Sequence, residues 1–258
     1  ASLSFGIIGT YVVARRITYI AGAIAHCVLG GIGAGLYCEH KLGITWFGPL
    51  TGAIIAALLA AIIIGLVSLH ANQREDTAIG ALWAIGMAIG LLFIAKTPGY
   101  VEPMSYLFGN ILLISQYDLW MVVVLDTLVA GTAILFYHKF LAVCFDEEYA
   151  RLRGVRTDLY YLLLLCLTAL TVVLLVRVVG IVMVIALLTL PAAVASNFAK
   201  GLWQMMVLAT LFCTFFIGSG LAVSYSFDLP SGPTIIVISG LAYLTATAVQ
   251  QFRTSRKN

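Results

Sequence analysis

Long apolar runs separated by short polar stretches dominate this chain. Nine runs predict helical segments, at residues 1–14, 17–38, 44–69, 77–95, 118–138, 159–177, 178–198, 203–226 and 232–250. Most are long enough, at about 1.5 Å per residue, to cross a hydrocarbon layer about 30 Å thick. The apolar stretch from 159 to 198 is too long for one crossing. Arg177 and Gly180 divide it, because an arginine at mid-bilayer is costly.

The composition indicates a membrane protein. Hydrophobic residues make up 62% of the 258 residues and charged residues only 10%, and the mean hydropathy is +1.07. A soluble domain carries about 25% charged residues. We therefore expect an all-α, polytopic helical membrane protein with eight or nine transmembrane segments, forming one domain over residues 1–258. The chain begins at Ala1 inside an apolar run, so we expect the N-terminal helix to be incomplete.

The basic residues are distributed unevenly between the two sides that alternating crossings define. Eleven of the fourteen fall on one side, and only Lys41, Lys96 and Arg177 fall on the other. By the positive-inside rule the first side is cytoplasmic, and the C-terminus lies there.

Two polar stretches between the apolar runs are not expected to span the membrane. On the cytoplasmic side, residues 139–158 predict a short helix between Asp146 and Arg153 that stops at Gly154, with charges that suit the helix dipole. This helix either docks a cytoplasmic partner or is a solvated connector. On the outer side, residues 96–117 contain two prolines and an amphipathic piece expected in the interface.

His26 is an ionisable residue in the middle of an apolar, glycine-rich segment. At 100° per residue, Gly22, His26, Gly30 and Gly33 fall within about 80° of one another on a helix. This glycine stripe carries no bulky side chain, so another backbone or a small cation can approach it, and we expect Gly22, Gly30 and Gly33 to serve gating or packing. His26 is either a metal ligand or a buried histidine hydrogen-bonded to a neighbouring helix.

Other polar residues also have two interpretations each. Glu39 and His40 end the same helix at the outer surface, as a weak cation site or as a solvated loop. Asp126 lies inside the fifth segment, where a carboxylate is either functional or paired with a buried polar group.

Helix-shaping residues have similar alternatives. Pro191 kinks its helix, as a gate or as a static bend. The spacing of Gly31 with Gly35, and of Gly86 with Gly90, indicates helix packing rather than substrate contact.

Enzyme motifs are absent from the sequence. There is no Walker A lysine, no HExxH and no GxSxG. We therefore expect no catalysis by this chain, no bound cofactor and no nucleic-acid partner; any ATP that drives transport binds another chain.

Six motifs in order resemble those of the permease subunits of bacterial ABC importers for zinc, manganese or iron. They are the pair Arg15–Arg16 followed by AxxxAHxVLxG, REDTAIG at 74–80, SYLFGNIL at 105–112, DEEYARLRGV at 146–155, VVGIVMVIALLTLPAAVA at 178–195 and LPSGPTIIV at 229–237.

The resemblance implies an all-helical permease in the bacterial plasma membrane. Such a permease pairs with a second copy, as a homodimer or heterodimer, above two cytoplasmic ATPase subunits, and a metal-binding protein delivers the ion from outside. The helix at 146–154 would then couple to the ATPase through Asp146, Glu147, Glu148, Ala150 and Gly154.

One departure from the family pattern concerns the cargo. The second helix usually reads GDxxSH, but here Gly22 stands at the aspartate position and Ala25 at the serine position. The oxygen partner of His26 comes from another helix, from the dimer partner, or from neither if the ion binds only fleetingly. A lone imidazole suits zinc better than manganese. We therefore expect a divalent transition metal, zinc first, with manganese and iron as alternatives.

Two rival functions remain at this point. One is an importer of metal chelates of the siderophore or cobalamin type, which needs a wider passage. The other is an ATP-independent carrier that uses Asp126 and His26 as a proton relay.

Overall fold

Every regular element in the described part of the chain is an α-helix. The computed structural model describes residues 1–70, 75–98, 107–109 and 114–255. The helices are α1 (Ser2–Ala14), α2 (Thr18–Leu42), α3 (Pro49–His70), α4 (Glu75–Lys96), α5 (Gln116–Leu135), α6 (Tyr137–Phe145), α7 (Glu147–Leu152), α8 (Thr157–Val179), α9 (Ile181–Ser196), α10 (Leu202–Phe227) and α11 (Ser231–Ser255).

Nine of these helices are apolar. By length and composition, α2, α3, α4, α5, α8, α10 and α11 are able to cross a membrane, and α1 and α9 are shorter apolar helices. The predicted all-α, polytopic membrane fold is confirmed.

Some predicted boundaries differ from the observed ones. The third run begins at Pro49 rather than at residue 44, because Gly43 adopts a left-handed conformation and a turn follows it. The fifth segment ends at Leu135, and α6 then continues to Phe145 in a stretch expected to be polar and non-spanning. Most of the amphipathic piece expected within 96–117 lies outside the described residues.

The predicted break between α8 and α9 is confirmed at Gly180. This residue has φ +83° and ψ 162°, a conformation that side-chain-bearing residues rarely adopt. Its missing side chain also lets the backbone of Phe108 and Gly109 lie against it. Arg177 consequently remains at the exposed end of α8.

Close glycine contacts hold α2 between α3 and α4. Gly31 lies against the backbone of α3 at Gly52, and Gly35 lies against the backbone of Gly48 and Pro49 where α3 begins. On the other side, a Cβ on Gly86 of α4 would lie 2.8 Å from the Cα of Cys27 and from its Sγ, and Gly90 faces Leu29 and Gly30. Both predicted glycine pairs therefore serve helix packing.

The short helix α1 packs against α9 and α10. Gly9 lies against the backbone of Leu188 and 3.5 Å from the Ala192 methyl, counted from the position of an added Cβ. Pro191 is buried at this crossing, inside a helix that runs unbroken to Ser196. Whether it also gates remains a prediction.

Two ion pairs connect the ends of helices that are far apart in the sequence. Arg15, after α1, pairs with Glu147 of α7, and Arg177, at the end of α8, pairs with Asp118 at the start of α5. Alternating crossings place each of these pairs on one side of a membrane, the first opposite the second.

Candidate functional site

His26 lies on the face of α2 that packs against α4. Its ring stacks on the Trp83 indole, with the ring centroids 4.6 Å apart and the planes inclined by 24°. The side chain is half-buried, and its Nδ1 atom is buried without a hydrogen-bond partner in the described residues. The hydrogen bond to a neighbouring helix expected of a structural histidine is therefore not made at Nδ1. That nitrogen is therefore unpaired but enclosed, so a ligand can reach it only when the packing around His26 opens.

The glycine stripe around His26 does not face open space. An added Cβ on Gly22 would lie 2.7 Å from Cζ3 of Trp83, and one on Gly30 would lie 2.9 Å from the Gly86 carbonyl oxygen. Gly33 meets the Gly90 carbonyl in the same way. Helix α4 therefore covers the stripe, with the Trp83 side chain at Gly22 and with its backbone at Gly30 and Gly33. A gating role for these glycines remains a prediction.

Asp126 is not joined to His26. Its carboxylate accepts a hydrogen bond from the Ser4 hydroxyl of α1, which is buried. This contact corresponds to the expected pairing with a buried polar group. A proton relay needs hydrogen-bonded neighbours, and none links Asp126 to His26 across the described ranges.

A cavity of about 690 Å³ lies between the C-terminal ends of α2 and α8 and the N-terminal ends of α3 and α5. Glu39, Asp118 and Arg177 line it, and Arg177 Nε lies 3.2 Å from Asp118 Oδ1. His40 is exposed, with Nδ1 3.1 Å from the Leu36 carbonyl oxygen. Glu39 therefore borders a cavity that also contains an ion pair, whereas His40 lies at the exposed surface.

Asp118 is a cavity residue that sequence reasoning missed. Its carboxylate accepts the Ser115 backbone N–H at 3.1 Å, and its own N–H donates to the Ser115 hydroxyl at 3.2 Å. This reciprocal cap starts α5. The Ser-x-x-Asp spacing predicts the cap, but nothing local in the sequence predicts the pairing with Arg177.

No group of three or more His, Cys, Asp or Glu side chains converges within the described ranges. A complete metal coordination shell is therefore not formed by these residues alone. The source of an oxygen ligand for His26 remains among the three expected alternatives.

The polar stretch after α6 forms the short helix α7. Asp146 caps it, since its Oδ1 accepts the Tyr149 N–H at 2.9 Å. Ala150 is buried, and Gly154 follows the helix with φ +77°. The predicted helix between Asp146 and Arg153 is confirmed in extent, and its docking role remains a prediction.

Arg15 fastens α7 to the turn between α1 and α2. Its guanidinium donates to the Glu147 carboxylate and, through Nη1, to the Val143 carbonyl oxygen at 2.8 Å. The same group lies 5.4 Å from the centre of the Tyr161 ring on α8. Glu147 also accepts from Arg151 at 3.1 Å. Nothing local in the sequence predicts this junction, because Val143 and Glu147 lie far from Arg15 along the chain.

Large apolar side chains are exposed around α7. Phe145, Tyr149 and Leu152 have exposed fractions of 66%, 51% and 88%. Such a cluster on a polar surface element is typical of an interaction site.

Comparison with known proteins places these features in a family. The family described as the ABC 3 transport family matches residues 1–250. A Chlamydia pneumoniae protein named a probable metal transport system membrane protein is 41% identical, over 97% of this chain and 86% of its own length. The manganese transport system membrane protein MntC of Listeria monocytogenes is 33% identical, over 93% of this chain and 84% of its own length.

A solved structure shares the same fold. The structure of PsaBC from Streptococcus pneumoniae in complex with Fab superposes with a TM-score of 0.86 at 28% identity, covering 100% of this chain and 91% of the other. The family resemblance drawn from the six motifs is confirmed by these matches.

Proposed function

This chain belongs to the ABC 3 transport family, and we propose that it is the membrane permease subunit of an ATP-driven importer for a divalent transition metal ion. Zinc is the leading cargo, with manganese and iron as alternatives. The observation that carries the proposal is the similarity, along nearly the whole chain, to membrane proteins named for metal transport.

The surroundings of His26 support zinc as the cargo. Imidazole nitrogen is a good ligand for zinc, whereas manganese prefers oxygen ligands. His26 Nδ1 has no hydrogen-bond partner among the described residues, and Gly22, one helical turn earlier, offers no side-chain oxygen. The relatives named for manganese make that ion the main competitor.

The exposed apolar side chains of α7 support docking to an ATPase. We assign ATP binding and hydrolysis to two separate cytoplasmic subunits, which contact the element Asp146, Glu147, Glu148, Ala150 and Gly154. Closure of the ATPase pair moves α7, and the movement changes which side of the membrane the ion can reach. A second permease copy and an extracytoplasmic metal-binding protein complete the assembly in the bacterial plasma membrane, with the C-terminus in the cytoplasm.

The packing around His26 favours a bare ion over its rivals. A chelate needs a wide passage, and the close approach of α2 to α4 leaves none beside His26. A proton-driven carrier that uses Asp126 lacks support as well, since Asp126 is bonded to Ser4.

The test uses the full complex of permease, ATPase and binding protein in vesicles. We expect zinc to stimulate ATP hydrolysis more than manganese or iron(II) does. His26→Ala should lower zinc uptake by at least about tenfold, as the loss of one ligand would. His70→Ala, at an exposed helix end, is the matched control.

Two outcomes would contradict the proposal. Metal uptake that continues without ATP would favour a carrier. Normal zinc uptake by a well-folded His26→Ala complex would remove His26 from the passage.

A further inference from the structure

The Trp83 indole lies on both Gly22 and His26. It stacks on the imidazole at 4.6 Å between ring centroids. Its edge covers Gly22 so closely that an added Cβ would lie 2.7 Å from Cζ3 and 2.9 Å from Cη2. Real Cβ atoms do not approach carbon this closely, so the ring occupies the volume of a side chain at position 22.

Position 22 is the place from which a side chain on the same helix would reach a cation bound to His26. Residues four apart on a helix lie one above the other, with Cβ atoms about 5–6 Å apart. A carboxylate there would share a divalent ion with the imidazole. The indole supplies no lone pair for this purpose, because its nitrogen is a donor only.

The packing of α2 against α4 places the indole over Gly22, although Trp83 itself is only half-buried. A tryptophan side chain has two torsions and moves as a rigid plate. The helices that carry the two rings are held together by the contact of Gly30 with the Gly86 carbonyl and of Gly33 with the Gly90 carbonyl. A side chain at position 22 therefore displaces the ring and breaks its stacking on His26.

We propose that Trp83 is a specificity-determining residue of the passage. Its indole ring lies against Gly22 and stacks on His26, where it occupies the space that an oxygen ligand from position 22 would need. The absence of that oxygen ligand disfavours manganese relative to zinc. The inference rests on the proposed function for the cargo, but its steric part concerns packing alone.

The steric part is tested by thermal unfolding of the purified complex, without transport. Gly22→Ala should lower the melting temperature by about 5 °C when Trp83 is present, as overpacking does. In a Trp83→Ala background the same substitution should lower it by less than about 2 °C. Gly80→Ala, which adds a Cβ in open space on α4, is the matched control. Equal losses in both backgrounds would overturn the steric claim.

The selectivity part is tested by competing zinc and manganese uptake into vesicles. We compare the unmodified complex with Gly22→Asp, Trp83→Ala, the double variant and Trp120→Ala, whose ring is exposed on α5. The double variant should raise the ratio of manganese to zinc uptake by about tenfold, equivalent to about 1.4 kcal/mol. Gly22→Asp alone should lose uptake of both ions or fail to fold, and Trp120→Ala should keep the original ratio.

Three outcomes would overturn the selectivity role. In the first, the double variant keeps the original ratio of manganese to zinc uptake. In the second, Gly22→Asp alone folds normally and gives the full rise in that ratio. In the third, the unmodified complex imports neither ion. That result overturns the proposed function and the selectivity role together, while the unfolding measurements still decide whether Trp83 excludes a side chain at position 22.

Discussion

The contact of Arg15 with Glu147 joins the α1–α2 turn to α7. The substitution Glu147→Gln removes the negative charge of residue 147 with little change in the shape of its side chain. In the native chain the carboxylate accepts hydrogen bonds from Arg15 and Arg151. In the variant the Arg15 guanidinium keeps its bond to the Val143 carbonyl but loses the negative charge beside it. We expect both the stability of this junction and the transmission of movement through it to fall.

The size of the effect follows from the burial of the pair. Exposed ion pairs contribute about 0–1 kcal/mol, and removing one partner of a buried pair costs about 3–5 kcal/mol. The Arg15 and Glu147 side chains are 25% and 24% exposed, between these limits. We therefore expect a loss of about 2 kcal/mol in the free energy of unfolding. For a chain of this size that loss lowers the melting temperature by about 4–8 °C.

The assay combines thermal unfolding of the purified complex with transport in vesicles. For the unfolding measurement alone, Glu148→Gln is the matched control, because Glu148 is exposed and forms no ion pair within the described ranges. Glu147→Gln should also lower metal uptake per ATP hydrolysed, as expected of a coupling contact. The double variant with Arg15→Gln should be less destabilised than the sum of the two single variants.

Additive losses would refute a direct interaction between the two side chains. A loss of melting temperature in Glu147→Gln no larger than that in Glu148→Gln would refute the contribution of the contact to stability.

Three further predictions concern packing, backbone and thiol chemistry. Gly31→Ala should lose about 1–3 kcal/mol of stability in thermal unfolding, because its Cβ would lie 2.7 Å from that of Ala56, whereas Gly80→Ala should cost nothing; equal effects would contradict the close packing. Gly154→Ala should cost about 1–2 kcal/mol in the same measurement, although its Cβ meets nothing within 4 Å, because φ is +77°. Burial raises the pKa of the Cys144 thiol from 9.0 to about 12, so a variant retaining only Cys144 should resist maleimide at pH 8 until it is unfolded. The stabilisation from this protonated thiol is complete below pH 9 and is lost as pH rises toward 12, and rapid labelling of the folded protein would contradict its burial.

Much of the fold was predictable because its signals are local. Apolar runs mark the long helices, since each must satisfy its own backbone hydrogen bonds and present apolar side chains outward. Gly180 marks the break between α8 and α9, and the stretch from Asp146 to Gly154 carries its own cap and stop. The four-residue spacing within each glycine pair also indicated helix packing.

The contacts of the candidate site were not predictable in the same way. The partner of His26 is an aromatic ring on α4, and the partner of Arg15 is a carboxylate far along the chain. Such pairs depend on how helices are arranged in space, and no periodicity within one segment records that arrangement. The glycine stripe was ambiguous for the same reason, because a smooth face suits a neighbouring helix as well as an ion.

The glycine contacts on both sides of α2 have a mechanical consequence. Helices that pack through large side chains interlock, and each knob must leave its hole before one helix can slide along the other. At Gly31 and Gly35 toward α3, and at Gly30 and Gly33 toward α4, α2 meets backbone instead. Resistance to a small axial shift of α2 therefore comes mainly from the stack of His26 on Trp83, and we expect any shift of His26 along its helix axis to require movement of the Trp83 ring.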